Sequence, residues 1–232
     1  MAVYHNLQTV FVEIAKNAST SLRNILSGGQ DMYSDHVPYM WMKEIEEFNG
    51  NDISGYYKFV ITRNPYDRFI SAYEALVTQQ QLEDTPDDML DWLLEKVSRV
   101  TGEPIKILDE NGDPIPGVYE KPLAGPLEYW WQDAPPTFWP QHAFISEGET
   151  VHVTEYFKIE ELETSWSSIR NSIQSISGEL LPETLPVMNT RTNPSDWQSF
   201  FEGAEGQNRA NKIEQLYGKD FTMFNYETLS FE

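Results

Sequence analysis

Two stretches of the chain repeat one local plan, and that repetition restricts the possible folds more than any other feature. Thr9 to Arg23 reads Thr-Val-Phe-Val-Glu-Ile-Ala-Lys-Asn-Ala-Ser-Thr-Ser-Leu-Arg. Lys58 to Tyr73 reads Lys-Phe-Val-Ile-Thr-Arg-Asn-Pro-Tyr-Asp-Arg-Phe-Ile-Ser-Ala-Tyr. Each begins as a short apolar run, crosses a polar turn with a cation and hydroxyls, and continues with helical spacing. In the first, Val10, Val12 and Ile14 alternate with Phe11 and Glu13, which gives a strand apolar on nearly both sides, as in a sheet covered on both faces. Open α/β sheets bind ligands beyond the carboxyl ends of their strands. The repeat therefore predicts two anion-receiving turns on neighbouring strands.

The rest of the chain extends this alternation. Ser19 or Thr20 is placed to cap a helix through Leu22, Ile25 and Leu26 that stops at Gly28-Gly29. A short strand is expected within Tyr33 to Tyr39, a helix over Met40 to Phe48, and a strand over Tyr57 to Thr62. Asn64-Pro65 then turns the chain into a helix from Tyr66 to Val77. Pro86 to Val100 carries Leu90, Leu93, Leu94 and Val97 as a buried stripe. Val151 to Ile159 reads as a late strand, Glu161 to Ile176 as a helix, and Ala204 to Tyr217 as the closing helix. Strands alternating with helices favour an α/β fold with a mostly parallel central sheet and helices on both sides. From about 101 to 140 the chain is rich in Gly, Pro and aromatics, with Asn111-Gly112 as a hairpin turn. So long an irregular insertion either forms a wall for an acceptor or covers the core edge.

Composition narrows the class. At 232 residues, with 40% hydrophobic side chains, the chain can bury one sizeable core, and a single domain over 1–232 is expected. No apolar run approaches the roughly 20 residues of a membrane span. The start, Met1-Ala-Val-Tyr-His-Asn-Leu, lacks a basic region followed by an apolar one, so a cytoplasmic setting is expected, bacterial or phage-like. The absence of cysteine excludes disulfides and thiolate metal sites. A net charge of -21 argues against nucleic acid as a partner. Residues 1–75 hold six Lys/Arg and nine Asp/Glu, whereas the remainder hold ten and 28. An anionic ligand meets the least repulsion where the two turns lie.

The turns themselves suggest how such a ligand is held. Backbone N–H groups at a helix start are unsatisfied and receive oxyanions. Lys16 adds a movable charge there, and Ser19, Thr20 and Ser21 add hydroxyls. This is not the G-x-x-x-x-G-K-[ST] loop of ordinary nucleotide hydrolases, since the Lys comes first and glycines are missing. Taken alone, K-x-x-S-T-S also fits a plain helix cap. Arg63 follows its strand directly and Ser71 lies eight positions on, so both meet one phosphate if the turn folds back. Asp67 is expected as a surface charge, Arg68 as an ion-pair partner and Tyr73 as core.

Together the two turns resemble the 5'-phosphosulfate loop and 3'-phosphate site of the sulfotransferases, particularly the carbohydrate sulfotransferases and their bacterial and viral relatives. The likeness continues through Asp35-His36, Phe138-Trp139-Pro140-Gln141, Tyr156-Phe-Lys-Ile-Glu160, Leu185-Pro-Val-Met-Asn189 and Leu216-Tyr217-Gly-Lys-Asp220. It does not cover Thr101 to Tyr129. The resemblance implies a three-layer P-loop-like fold and transfer of a sulfuryl group from 3'-phosphoadenosine 5'-phosphosulfate to a hydroxyl or amine of a carbohydrate or small molecule, without a metal. It implies that Lys16 contacts the phosphosulfate and offsets charge on the bridging oxygen. Asn17, Ala18, Ser19, Thr20 and Ser21 would supply loop amides and hydroxyls, and Arg63 and Ser71 would hold the 3'-phosphate. His36 becomes the candidate base, since a neutral imidazole has the right basicity; the alternative is that it caps the next helix or packs. His142 is the reserve base. Arg191 would close over the cofactor, although the residues around Asn189 differ from the family's usual ones. Trp139 either stacks on an acceptor ring or is buried. Two rival functions keep the same architecture: a nucleotide-dependent phosphotransferase, and a noncatalytic module retaining the pocket.

Overall fold

The computed structural model describes residues 2–28, 36, 38–80, 84–101, 106–108, 114–119, 134–185 and 196–231. Its centre is a four-stranded sheet built from β1 (Ala2–Tyr4), β2 (Thr9–Val12), β3 (Tyr57–Thr62) and β8 (Glu155–Lys158), in the order β1-β2-β3-β8. β2, β3 and β8 are parallel, with Val12 opposite Val60 and Thr62 opposite Lys158. β1 runs antiparallel to β2 at the edge. The two strand–turn–helix units thus occupy adjacent parallel strands.

β2 and β3 are buried along their whole length, and their side chains alternate between two cores. Val10, Val12 and Val60 face Tyr39, Phe69, Ile70, Leu90, Leu93, Ile213 and Phe221. These come from α2 (Tyr39–Phe48), α3 (Pro65–Gln80), α4 (Pro86–Thr101) and α6 (Gly203–Met223). On the opposite face Phe11, Phe59 and Ile61 pack against Leu22, Ile25 and Leu26 of α1 (Ser19–Leu26) and against Trp166, Ile169 and Ile173 of α5 (Leu162–Ser177). The Phe11 and Phe59 rings stack at 4.9 Å. Burying each such ring stabilises the fold by about 1.5–3 kcal/mol, so the sheet is held from both sides, as its apolar strands anticipate. α6 starts against the Phe201 backbone, where a Cβ at Gly206 would lie 2.1 Å from the Phe201 carbonyl carbon. Only glycine allows that approach.

Several boundaries depart from expectation. β2 ends at Val12, and Ile14 lies in the turn, its carbonyl accepting from Asn17 N–H at 3.2 Å. The late strand is split: Thr150–Val151 (β7) pairs with Ser146–Glu147 (β6) in a separate hairpin, and only Glu155–Lys158 joins the main sheet. Tyr39 opens α2 instead of closing a strand; most of the segment before it lies outside the described residues. Within the insertion, β4 (Lys106–Leu108) and β5 (Pro114–Tyr119) form an antiparallel pair. The Asn111-Gly112 turn and the aromatics at 129–131 lie outside the described residues. At its end the insertion enters the core, with Ala134, Phe138 and Trp139 buried. Trp139 is 6% exposed, and its indole N–H donates to the Ala134 carbonyl at 2.7 Å, so it is a core side chain and no platform for an acceptor ring.

Candidate active site

The first turn leaves the sheet at Glu13, whose carboxylate is fully buried. Arg23 of α1 forks onto it, Nε at 3.2 Å and Nη2 at 2.7 Å, which ties α1 to the end of β2. The hydrogen bond to Glu13 raises the Arg23 pKa against a smaller opposing effect of burial. Between these anchors Lys16 and Ala18 adopt left-handed backbone conformations, φ 72° and 57°, with Asn17 between them outside that region. Such alternation curls the backbone into a concave, nest-like turn ahead of α1, in which the Asn17 N–H is held by the Ile14 carbonyl. It costs roughly 1–2 kcal/mol at each non-glycine residue. Ala18 is the N-cap residue of α1 and makes no side-chain cap, so neither Ser19 nor Thr20 caps the helix as expected. Ser19 and Ser21 are buried, Thr20 is exposed and Lys16 is half-buried. The turn is therefore made chiefly of backbone, with the half-buried Lys16 beside it.

The second turn is made of side chains. The Arg63 guanidinium forks onto Asp67, with Nε to Oδ2 at 2.6 Å and Nη2 to Oδ1 at 2.8 Å, and its Nη1 donates to the Lys16 carbonyl at 3.0 Å. Asp67 is accordingly an orienting partner, 16% exposed, and no free surface charge. Positions 67 and 71 lie one turn apart on the same face of α3. Ser71 is buried, 3% exposed. Arg68 also differs from its expected role. It is 2% exposed, and it donates to two carbonyls, Ala15 at 3.4 Å and Thr137 at 2.9 Å. Among the described residues no carboxylate hydrogen-bonds it. Burial lowers its pKa, with Tyr217 and Asp220 opposing that shift and Arg63 adding to it. Arg63 and Arg68 thus grip the consecutive carbonyls of Lys16 and Ala15. Tyr73 is half-buried against the core, its hydroxyl donating to the Asp84 carbonyl.

His36 stands beside the first turn. Its Nδ1 lies 3.1 Å from the Glu13 carbonyl oxygen. A carbonyl only accepts, so Nδ1 carries the proton and Nε2 keeps its lone pair. Burial lowers the His36 pKa below the ordinary histidine value, and the hydrogen bond to Glu13 only partly opposes it. The imidazole is neutral at pH 7. It does not cap α2, whose N-cap residue is Pro38.

Sequence reasoning missed the residues that join the two turns. Gln141, fully buried, accepts at Oε1 from Asn17 Nδ2 (2.7 Å) and from the Arg63 N–H (2.9 Å), while its Nε2 donates to the Arg63 carbonyl (2.8 Å). Asn17 Nδ2 also reaches the Ile61 carbonyl at 2.8 Å. Asp220, with no exposure, receives the Gln141 N–H at 2.7 Å, the His142 N–H at 2.8 Å and His142 Nδ1 at 2.7 Å. α6 departs from helical geometry at Tyr217 (φ −124°, ψ 19°), three residues before Asp220, and the Tyr217 hydroxyl donates to the Phe138 carbonyl at 2.9 Å. His142, the reserve base, is engaged in this buried clasp. The run Pro140-Gln141-His142 marks the place in the sequence, but its partners lie about 80 and 120 positions away. Arg191 lies outside the described residues.

A family model described as the sulfotransferase family matches residues 2–227, and the chain belongs to that family. Comparison with curated proteins and with solved structures gives no match. Family membership makes the chain a transferase of the sulfuryl-transfer class.

Proposed function

We propose that this chain moves a sulfuryl group from 3'-phosphoadenosine 5'-phosphosulfate to a hydroxyl of a small-molecule or glycan acceptor. It would do so as a single P-loop-like, three-layer domain over 1–232 that carries the 101–140 insertion. The observation that carries the reading is the 3.0 Å hydrogen bond from Arg63 to the Lys16 carbonyl, because it ties the two turns to each other. The fit to the donor is chemical: a concave backbone turn with a cation beside it suits the phosphosulfate, and an oriented guanidinium suits a terminal phosphate. Bound there, the donor supplies an activated sulfuryl group and leaves as 3'-phosphoadenosine 5'-phosphate.

The chain's own groups account for the rest. Ala18 to Ser21 present N–H groups at the start of α1, Asn17, whose own N–H is held by the Ile14 carbonyl, shapes the loop through its side chain, and Lys16 offsets negative charge on the oxygen that leaves sulfur as the acceptor oxygen bonds to it. His36 Nε2 takes the acceptor proton. In-line transfer of this kind is driven by positioning and fixed charge, which suits a site organised by four arginine-to-carbonyl or amide contacts around one loop. Thermal shift tests the reading. 3'-Phosphoadenosine 5'-phosphate should raise Tm without magnesium; stabilisation only by ATP with magnesium would establish a phosphotransferase instead. Donor binding with no sulfation of any acceptor class would leave a binding module.

A further inference from the structure

We propose that Gln141 is a positioning residue that sets the span between the two anion sites, and so makes them act as a pair on a two-ended donor. The inference rests on the sulfuryl-transfer reading and gives Gln141 a measurable part in it. β2 and β3 are paired only as far as Val12 and Val60; beyond that point the chain after β2 enters its turn while β3 runs on beside β8 to Thr62. The side-chain amide of Gln141 occupies this fork. It pairs with both the N–H and the C=O of Arg63, as a neighbouring strand would, and its remaining acceptor site takes Asn17 of the nest. Three hydrogen bonds at 2.7–2.9 Å fix its orientation without ambiguity, since exchanging O and N would set donor against donor at both Arg63 N–H and Asn17 Nδ2.

The amide is itself held from behind. Asp220 binds the Gln141 N–H, and both residues are fully buried, so solvent does not compete for these bonds. Arg63 sits on a 3-residue relay from the nest: its own side chain holds the Lys16 carbonyl while its backbone is held by the amide that also holds Asn17. The Gln141 side chain is occupied by these protein contacts and is not itself a ligand contact. Its effect must therefore appear as a loss of cooperation between the sites, more than as a loss of either one.

The quantity to measure is the gain in affinity that the 3'-phosphate adds, taken as the ratio of calorimetric Kd for adenosine 5'-phosphate and for 3'-phosphoadenosine 5'-phosphate. In Gln141→Met, which keeps the volume and removes the amide, this ratio should fall roughly tenfold, the equivalent of one good buried hydrogen bond. Gln141→Asn, which keeps the amide but withdraws it by one methylene, should show the same sign and serves if the Met variant does not fold. A purely structural glutamine would lower Tm and leave the ratio unchanged, and that result would overturn the proposal. In the unmodified protein, the Gln141 side-chain amide resonances should shift more with the doubly phosphorylated ligand than with adenosine 5'-phosphate; equal shifts would also overturn it. A wild-type protein that gains nothing from the 3'-phosphate would remove the sulfuryl-transfer reading and the span with it, whereas a wild-type gain that both variants retain removes only the role of Gln141.

Discussion

The turn after β2 and the turn after β3 perform related tasks with different materials. The first uses backbone: two non-glycine residues at positive φ, a buried Glu13 held by the partly exposed Arg23 behind them, and Lys16 at the rim. The second uses side chains: Arg63 oriented by Asp67 and leaning on its neighbour's carbonyl. A backbone nest is fixed in shape and reads an anion by convergence, whereas an arginine fork can be redirected between carboxylate and phosphate. The difference predicts that the first turn governs chemistry and the second governs affinity.

Lys16→Ala should break the comparison most severely. Turnover is expected to fall by roughly a hundredfold or more, as for removal of one preorganised charge-stabilising donor, with a smaller change in affinity for 3'-phosphoadenosine 5'-phosphate. Single-turnover rates and calorimetry on the same variant would separate the two, and equal losses would make Lys16 a binding residue only. Arg63→Ala should act in the opposite sense, weakening that ligand by roughly tenfold to a hundredfold. Unchanged calorimetric affinity would remove Arg63 from the site. Arg63→Lys should not restore it, because an ammonium cannot reproduce the fork.

His36 sharpens the comparison through pH. Its pKa is lowered, first by burial, so the base stays neutral to a pH below the ordinary 6.5. The acid limb of kcat/KM should therefore lie below that value, and His36→Asn should abolish it. The same shift gives folding stability that is present above about pH 6.5 and is lost as pH falls toward the lowered value. An acid limb at or above 6.5 would exclude His36 as the base. The smallest effect concerns Ala18, where glycine relieves the left-handed strain. Ala18→Gly should add about 0.5–1 kcal/mol of stability in urea melts, and a loss would show that the methyl packs usefully.

Much of the frame was legible because it follows from periodicity. β3 spans Tyr57–Thr62 as read, and the helices read from Met40, Tyr66 and Glu161 are displaced by one residue at their starts. β1 was missed because three residues carry no measurable alternation, and the β6–β7 hairpin because each strand has only two. In the site, cation and hydroxyl spacing located both turns. It did not show that Lys16 and Ala18 take positive φ, since sequence signals that conformation mainly through glycine. Nor did it reveal what Arg63, Arg68 and Gln141 hold, because each reaches a carbonyl, and every residue has one.

The register of β3 has a bearing on how this family can vary. Along it, consecutive residues serve opposite cores, and Arg63 leaves the sheet directly after Thr62. Exchanging one aliphatic for another inside the strand preserves that phase, but deleting a single residue would reverse it and send the guanidinium out through the wrong side. The strand therefore tolerates a change of spelling better than a change of length.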